Sequence, residues 1–170
     1  MKKTLLIVVM TLLMSGCSAV INSQNTLPEV YSQKSETNRA VKKDIVIAVF
    51  KLRNYTDTPR AGRRAANIVQ GVLLSEDYIV KNHIDNRDKT IEEMQQEAQK
   101  DGAEYFLTGG VSEWRYKTGI DGEPAVSLRL VLYRTSDLKI IWSATGSDSD
   151  WGISSVGTVA QKLIQEMMEA

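Results

Sequence analysis

The sequence predicts an α/β (α+β) domain built on a single mixed β-sheet with helices packed on it, in the order βαβαβββα. Three observations carry that prediction. The continuous run Ile45-Val46-Ile47-Ala48-Val49-Phe50 has the composition of a strand covered on both faces. Two amphipathic helical patterns then alternate with strand patterns up to Gly102. From Tyr105 three strand patterns follow one another with only turns between them, and one last helix closes the chain.

Ahead of the domain, two lysines, an apolar run from Leu5 to Met14, the small residues Ser15 and Gly16, and then the single cysteine Cys17 read as an export signal. The apolar run is about half of the ~20 residues a membrane-spanning helix needs. Met14-Ser15-Gly16-Cys17 resembles the processing box of bacterial lipoproteins, which implies cleavage after residue 16 and acyl chains on Cys17. Several acyl chains, at ~0.8 kcal/mol per buried methylene, anchor a protein almost permanently, whereas one is marginal. Ser18 stands where many inner-membrane lipoproteins carry aspartate, so the resemblance implies the periplasmic face of the outer membrane.

Residues 17–43 are expected to be the lipidated cysteine and a flexible tether. From Ser18 to Lys43 the chain is rich in Ser, Asn, Gln, Thr and Lys, and no sustained apolar period offsets the cost of ordering it. As a loose coil it reaches roughly 25–30 Å. The domain spans 44–170, in the usual size range for one core.

Within it, the strand at 45–50 is followed by an Asn54-Tyr55-Thr56-Asp57 turn, with Thr58 as N-cap and Pro59 as first helical residue. The helix runs to about Leu74 with its stripe at Ala61, Ala65, Ile68, Val69, Val72 and Leu73. Tyr78 to Ile84 reads as a more exposed strand. A second helix, Asp88 to Lys100, shows capping-box spacing at Thr90 and Glu93 and ends at Asp101-Gly102. Ile91, Met94 and Ala98 form its buried stripe; Glu92, Glu93, Gln96 and Glu97 are expected to face water.

Three strands follow at 105–116, 125–133 and 139–147. Val126, Leu128, Leu130 and Leu132 alternate with Ser127, Arg129 and Val131, a seven-residue loop from Thr118 to Pro124 joins the first pair, and Ser136-Asp137 turns the second. The pair Gly109-Gly110 marks a bulge or close packing rather than a phosphate loop. Ser154 or Ser155 caps the final helix, whose stripe is Val156, Val159, Ala160, Leu163, Ile164 and Met167.

Composition excludes several functions. One cysteine and one histidine, His83, lack the companions for disulfides, structural zinc or a catalytic triad. Spacing neither excludes nor singles out a carboxylate pair for glycoside cleavage. The chain has 21 Lys+Arg and 21 Asp+Glu; removing residues 1–16 takes away Lys2 and Lys3 alone, which leaves 19 against 21. That balance does not mark a nucleic-acid binder.

A specific likeness lies in Ile47-Ala48-Val49-Phe50, the turn 54–59 leading into Ala61-Gly62, and Ser112-Glu113-Trp114-Arg115-Tyr116-Lys117 followed by residues 119–126. It continues in Ile141-Trp142-Ser143-Ala144-Thr145-Gly146, Trp151-Gly152 and Val159-Ala160-Gln161-Lys162-Leu163. These stretches resemble the PelC family of outer-membrane lipoproteins from Pel exopolysaccharide secretion. The hairpin stretch is the most specific part. The strand-turn-helix opening is shared with TolB amino-terminal, CsgG and LpoB-like domains. Lys51-Leu52-Arg53 is more basic than the family's usual continuation, and Tyr78 to Asp88 has no clear match.

The resemblance implies a CsgG-like, TolB amino-terminal-like domain with no enzymatic activity and no cofactor. Many copies would form a ring that funnels a cationic exopolysaccharide to an outer-membrane β-barrel. Asp121 and Glu123 on the hairpin tip, with Asp148 and Asp150 before the last helix, are then the candidate polymer-facing carboxylates, although Asp121-Gly122 equally suits a turn. Trp151, in a polar loop, is the candidate for seating the ring on the membrane, because tryptophan partitions to the interface. Arg60, Arg63 and Arg64 cluster where a helix dipole does not favour positive charge, and a neighbour's Glu92, Glu93 or Glu97 is the candidate partner. An LpoB-like regulatory lipoprotein, activating a periplasmic cell-wall synthase as a monomer, is the alternative. A CsgG-like pore needs lipid-facing segments of ~9–11 residues, and the sequence has no spare pair of them.

Overall fold

A computed structural model of the 170-residue chain describes residues 29–34, 45–116, 122–150 and 154–170. The elements are β1 (Glu29–Lys34), β2 (Val46–Phe50), β3 (Arg53–Asn54), α1 (Ala61–Ser75), β4 (Ile79–His83) and α2 (Ile91–Lys100), then β5 (Tyr105–Tyr116), β6 (Pro124–Arg134), β7 (Ile140–Ser149) and α3 (Val156–Glu169). The strands form one mixed sheet in the order β1-β7-β6-β5-β2-β4, with β3 also beside β5. β2 is parallel to both β4 and β5, and β3 continues parallel along β5; β6, β7 and β1 add antiparallel. From β2 to α3 this is the expected order with one addition, the two-residue strand β3.

β2 is covered on both sides, as its β-branched composition requires. Ile47 and Val49 join the larger core, where α1 and α3 pack on β5 and β6 through Val69, Leu163 and Ile164 against Leu107, Leu128 and Leu130. Ala48 and Phe50 point the other way, into a smaller cluster with Met94 and Ala98 of α2 and with Phe106. All six expected positions of the α3 stripe are buried, and Ser155 Oγ caps that helix by accepting the Thr158 N–H. In α1, Ile68 is half-buried while Gly62 and Ala66 join the stripe.

Two expectations change here. Residues 29–34 are not part of a structureless tether. They form β1 against β7, from Glu29 opposite Ser147 to Lys34 opposite Trp142. The antiparallel edge of β7 would otherwise leave a row of backbone groups unpaired. Second, Thr58 is not the N-cap of α1. Asn54 winds the turn, its side chain accepting from the Thr56 N–H and donating to the Thr58 carbonyl. The Thr58 hydroxyl donates to the Trp114 carbonyl at 2.5 Å. The helix therefore starts after Arg60, a left-handed residue at φ 63° with no side-chain cap. Of the two readings of the paired glycines, the bulge is not theirs, since the bulge of β5 falls between Val111 and Glu113.

The glycines serve close packing instead. A Cβ on Gly109 would lie 1.9 Å from the Arg129 carbonyl oxygen, and one on Gly110 would lie 2.7 Å from the Tyr55 ring. Gly109→Ala is expected to cost at least the ~1–3 kcal/mol of an overpacked interior, because the obstacle is the backbone of β6; urea denaturation of the variant beside the wild type measures it.

Candidate functional site

The sheet brings Glu123, Asp148 and Asp150 to one end. β6 starts at Pro124 and β7 ends at Ser149, with Ala125 opposite Ser149, and the Asp150 N–H donates to the Pro124 carbonyl at 3.3 Å. Glu123 and Asp150, 27 positions apart in sequence, thus flank one pair of strand ends. Asp150 is exposed and accepts the Ser154 hydroxyl; Glu123 is half-buried. The same end carries the Glu113–Arg115 pair at 3.0 Å. Asp121 and Trp151, like Cys17, lie outside the described residues.

Asp148 differs from its companions. It is opposite Val126, which is opposite Trp114, so its side chain sits on the helix-covered side of the sheet. Burial pushes its carboxyl above the usual aspartate range, the Lys162 ammonium opposes the rise, and Asp150 and Glu166 add to it.

The arginine cluster is divided. Arg63 is half-buried and donates to Asn86 Oδ1 at 3.0 Å, whereas Arg60 and Arg64 are exposed. Of the acids read as partners, Glu93 completes the Thr90 capping box and Glu97 does not face water as expected. His83 Nδ1 lies 3.1 Å, Lys89 Nζ 2.6 Å and Arg87 3.5 Å from the Glu97 carboxylate. Glu92 is left exposed.

Those contacts belong to a polar network invisible in the sequence. The His83 ring stacks on Phe50 at 4.7 Å between centroids, with Nε2 2.9 Å from Asp101 and Nδ1 facing Glu97. Lys89, only 7% exposed, places its ammonium between Glu97 and Asp85, 5.4 Å from the Phe50 centroid. Burial disfavours the charge of Lys89, but hydrogen bonds to Glu97 and Asp85 hold its pKa above the ordinary lysine value. Burial likewise works against Asp85, whose pKa the Lys89 ammonium and the Arg87 N–H bring below the usual range. The i, i+4 pair Glu97 and Asp101 on one face of α2 was the available signal; without the register of β4 nothing tied it to His83. Among the described residues no His, Cys, Asp or Glu group is arranged to hold a metal ion.

Comparison with known proteins gives two strong likenesses. The chain is similar to two PelC dodecamers from Paraburkholderia phytofirmans, one of them a point variant, at 32% identity and TM-scores of 0.73 and 0.72. The matches cover 83% of this chain and 95% and 94% of those chains. Lipoprotein GNA1162 from Neisseria meningitidis shares the fold at 15% identity, with a TM-score of 0.55 over 74% of this chain and 99% of that one. No protein-family model and no curated protein matches.

Two stability predictions follow from this geometry. Lys89→Met takes the buried ammonium from the Asp85 and Glu97 carboxylates; discounting the ~3–5 kcal/mol of a broken buried pair because Asp85 is half exposed and Glu97 keeps His83 and Arg87, the expected cost at pH 7 is about 2 kcal/mol, read by chemical denaturation. Asp148 has a raised folded pKa, so its relative contribution is full below the ordinary aspartate value and is lost as pH rises through the folded value. Asp148→Asn is therefore expected to raise the melting temperature at pH 7 and to give no gain at pH 3.

Proposed function

The chain belongs to the PelC family, and from that premise we propose that it is a lipid-anchored outer-membrane protein of a Pel-type exopolysaccharide export apparatus, working as a homo-oligomeric ring. The observation that carries the reading is the 32% identity over 95% of a chain that forms a dodecamer. Cys17 supplies the anchor and the segment between it and β1 the reach, so that the domain works on the periplasmic face. No described helix is long and apolar enough to cross a membrane.

The ring conducts a cationic polysaccharide toward an outer-membrane β-barrel and makes or breaks no bond. Transit needs weak, repeated attraction, since a deep site would stop the polymer. One exposed carboxylate attracts a cation by a fraction of a kcal/mol in salt; a closed ring of them adds its fields and concentrates cations in the passage. Asp121, Glu123 and Asp150 are the polymer-facing set, supported by the convergence of the β5–β6 hairpin and the end of β7. Asp148, half-buried beside Lys162, adds charge at the margin. Trp151, next to Asp150 in sequence, seats the ring against the bilayer interface. Exposed Arg60 and Arg64, with Arg63 behind them, meet a neighbour's acidic surface in a heterologous contact of the kind that closes rings.

In cells whose secretion requires this lipoprotein, the double variant Asp121→Asn/Glu123→Gln is expected to lower polymer release several-fold while leaving protein abundance and oligomer mass unchanged. Undiminished release would remove these two carboxylates from the mechanism; a lighter particle would reassign them to assembly.

A further inference from the structure

On the side of the sheet that α2 covers only in part lies a cavity of about 250 Å³ lined by Lys51, Arg53, Arg87, Lys89 and Arg129 against the single carboxylate of Asp88. Three of those cations are already engaged. Lys51 reaches Asp88 and the Asn86 carbonyl, both at 2.8 Å, Lys89 holds Asp85 and Glu97, and Arg87 lies 3.5 Å from Glu97. Arg53 and Arg129 are exposed, and among the described residues neither side chain has an ion pair or hydrogen bond.

Register puts these two on one row. Arg53 of β3 is opposite Gly110 of β5, and Gly110 is opposite Arg129 of β6. With strands ~4.8 Å apart, their Cα atoms are separated by about 10 Å. That distance lets both long side chains lean toward a common point. The ring of Tyr55 lies over Gly110, close enough that any side chain there would collide with it. Tyr55 is nevertheless 64% exposed, so it floors the space between the arginines instead of filling it.

Two like charges facing one cavity without a counter-ion repel each other, and an anion between them reverses the sign of that interaction. The geometry points to a binding site for a phosphate group, held between Arg53 and Arg129 above the Tyr55 ring. A guanidinium presents a planar fork that grips two oxygens at once. A single carboxylate satisfies one fork, whereas a phosphate has oxygens for two forks approached from opposite sides. Lys51 retains one of its three donors for a further oxygen. Free phosphate and the headgroup of an anionic phospholipid share this chemistry, and an anchored domain meets both.

Calorimetric titration of the lipidated protein in a neutral detergent separates these sources, with inorganic phosphate and soluble dihexanoyl phosphatidylglycerol as probes at low ionic strength. Saturable phosphate binding is expected, weakened at least tenfold in Arg53→Ser/Arg129→Ser and unchanged in Lys100→Ser/Lys139→Ser, which removes equal charge elsewhere. Arg53→Lys/Arg129→Lys, which keeps the charge but not the forks, is expected to bind several-fold more weakly than wild type with an unaltered melting temperature. Arginine-dependent binding of both probes assigns the site to headgroups as well; binding of phosphate alone assigns it to the free ion. No saturable binding of either probe, or binding that survives loss of both arginines, overturns the site. So does a wild type that binds neither probe while the serine variant loses oligomer mass, which would make the arginines a subunit contact.

Discussion

A ten-residue helix cannot cover a sheet of this width, and that mismatch organises the surface of the domain. Six strands abreast span roughly 24 Å at ~4.8 Å spacing, while a helix of about 10 Å diameter covers two strands at most. One side of the sheet has two longer helices, α1 and α3, sharing a continuous core with β5, β6 and β7. The other has, among the described residues, only α2, set over β2 and β5. No helix among the described residues covers that side beyond β5, and Arg129, Thr145 and Ser147 are exposed there although they lie in the middle of strands.

The same mismatch sets how α2 is held. Met94 and Ala98 are its fully buried residues, little apolar area for a helix that must stay docked. Polar contacts supplement it: the capping box at one end, and along its inner edge the Glu97 and Asp101 carboxylates that receive His83 and Lys89. Phe50 joins the two systems, being in the α2 cluster and also stacked beneath His83. Such a network contributes less net stability than its short distances suggest, because each charge has given up water. Its geometric effect is firmer: the carboxylates are met only when α2 and β4 are in one relative position.

What was legible in the sequence was whatever a single element determines by its own periodicity. The α3 stripe, the alternation in β6 and the Thr90–Glu93 box each need only local spacing. What was missed needs a partner from elsewhere. Residues 29–34 have no apolar period because an edge strand is ordered by the backbone it pairs with, here β7. Thr58 has the composition of a cap but is claimed by the Trp114 carbonyl, 56 residues away. Glu97 looked solvated because its three basic neighbours come from β4 and the loop before α2. At the other end of the sheet, the family resemblance proposed the carboxylates, and only the pairing of β6 with β7 brought Glu123 and Asp150 to the same strand ends.

Equal numbers of basic and acidic residues in the full chain conceal two surfaces of opposite character. Glu123 and Arg129 stand six residues apart along one extended segment, which at ~3.4 Å per residue separates them by about 20 Å. The screening length at physiological ionic strength is about 8 Å, so at the acidic end the field of Arg53 and Arg129 is strongly attenuated. A cation attracted there is not turned away by the arginines, and an anion between the arginines is not expelled by the carboxylates. The polymer lining and the phosphate site proposed above can therefore coexist on one small domain without cancelling each other. The requirement is distance along the β5–β6 hairpin, and the length of those two strands supplies it.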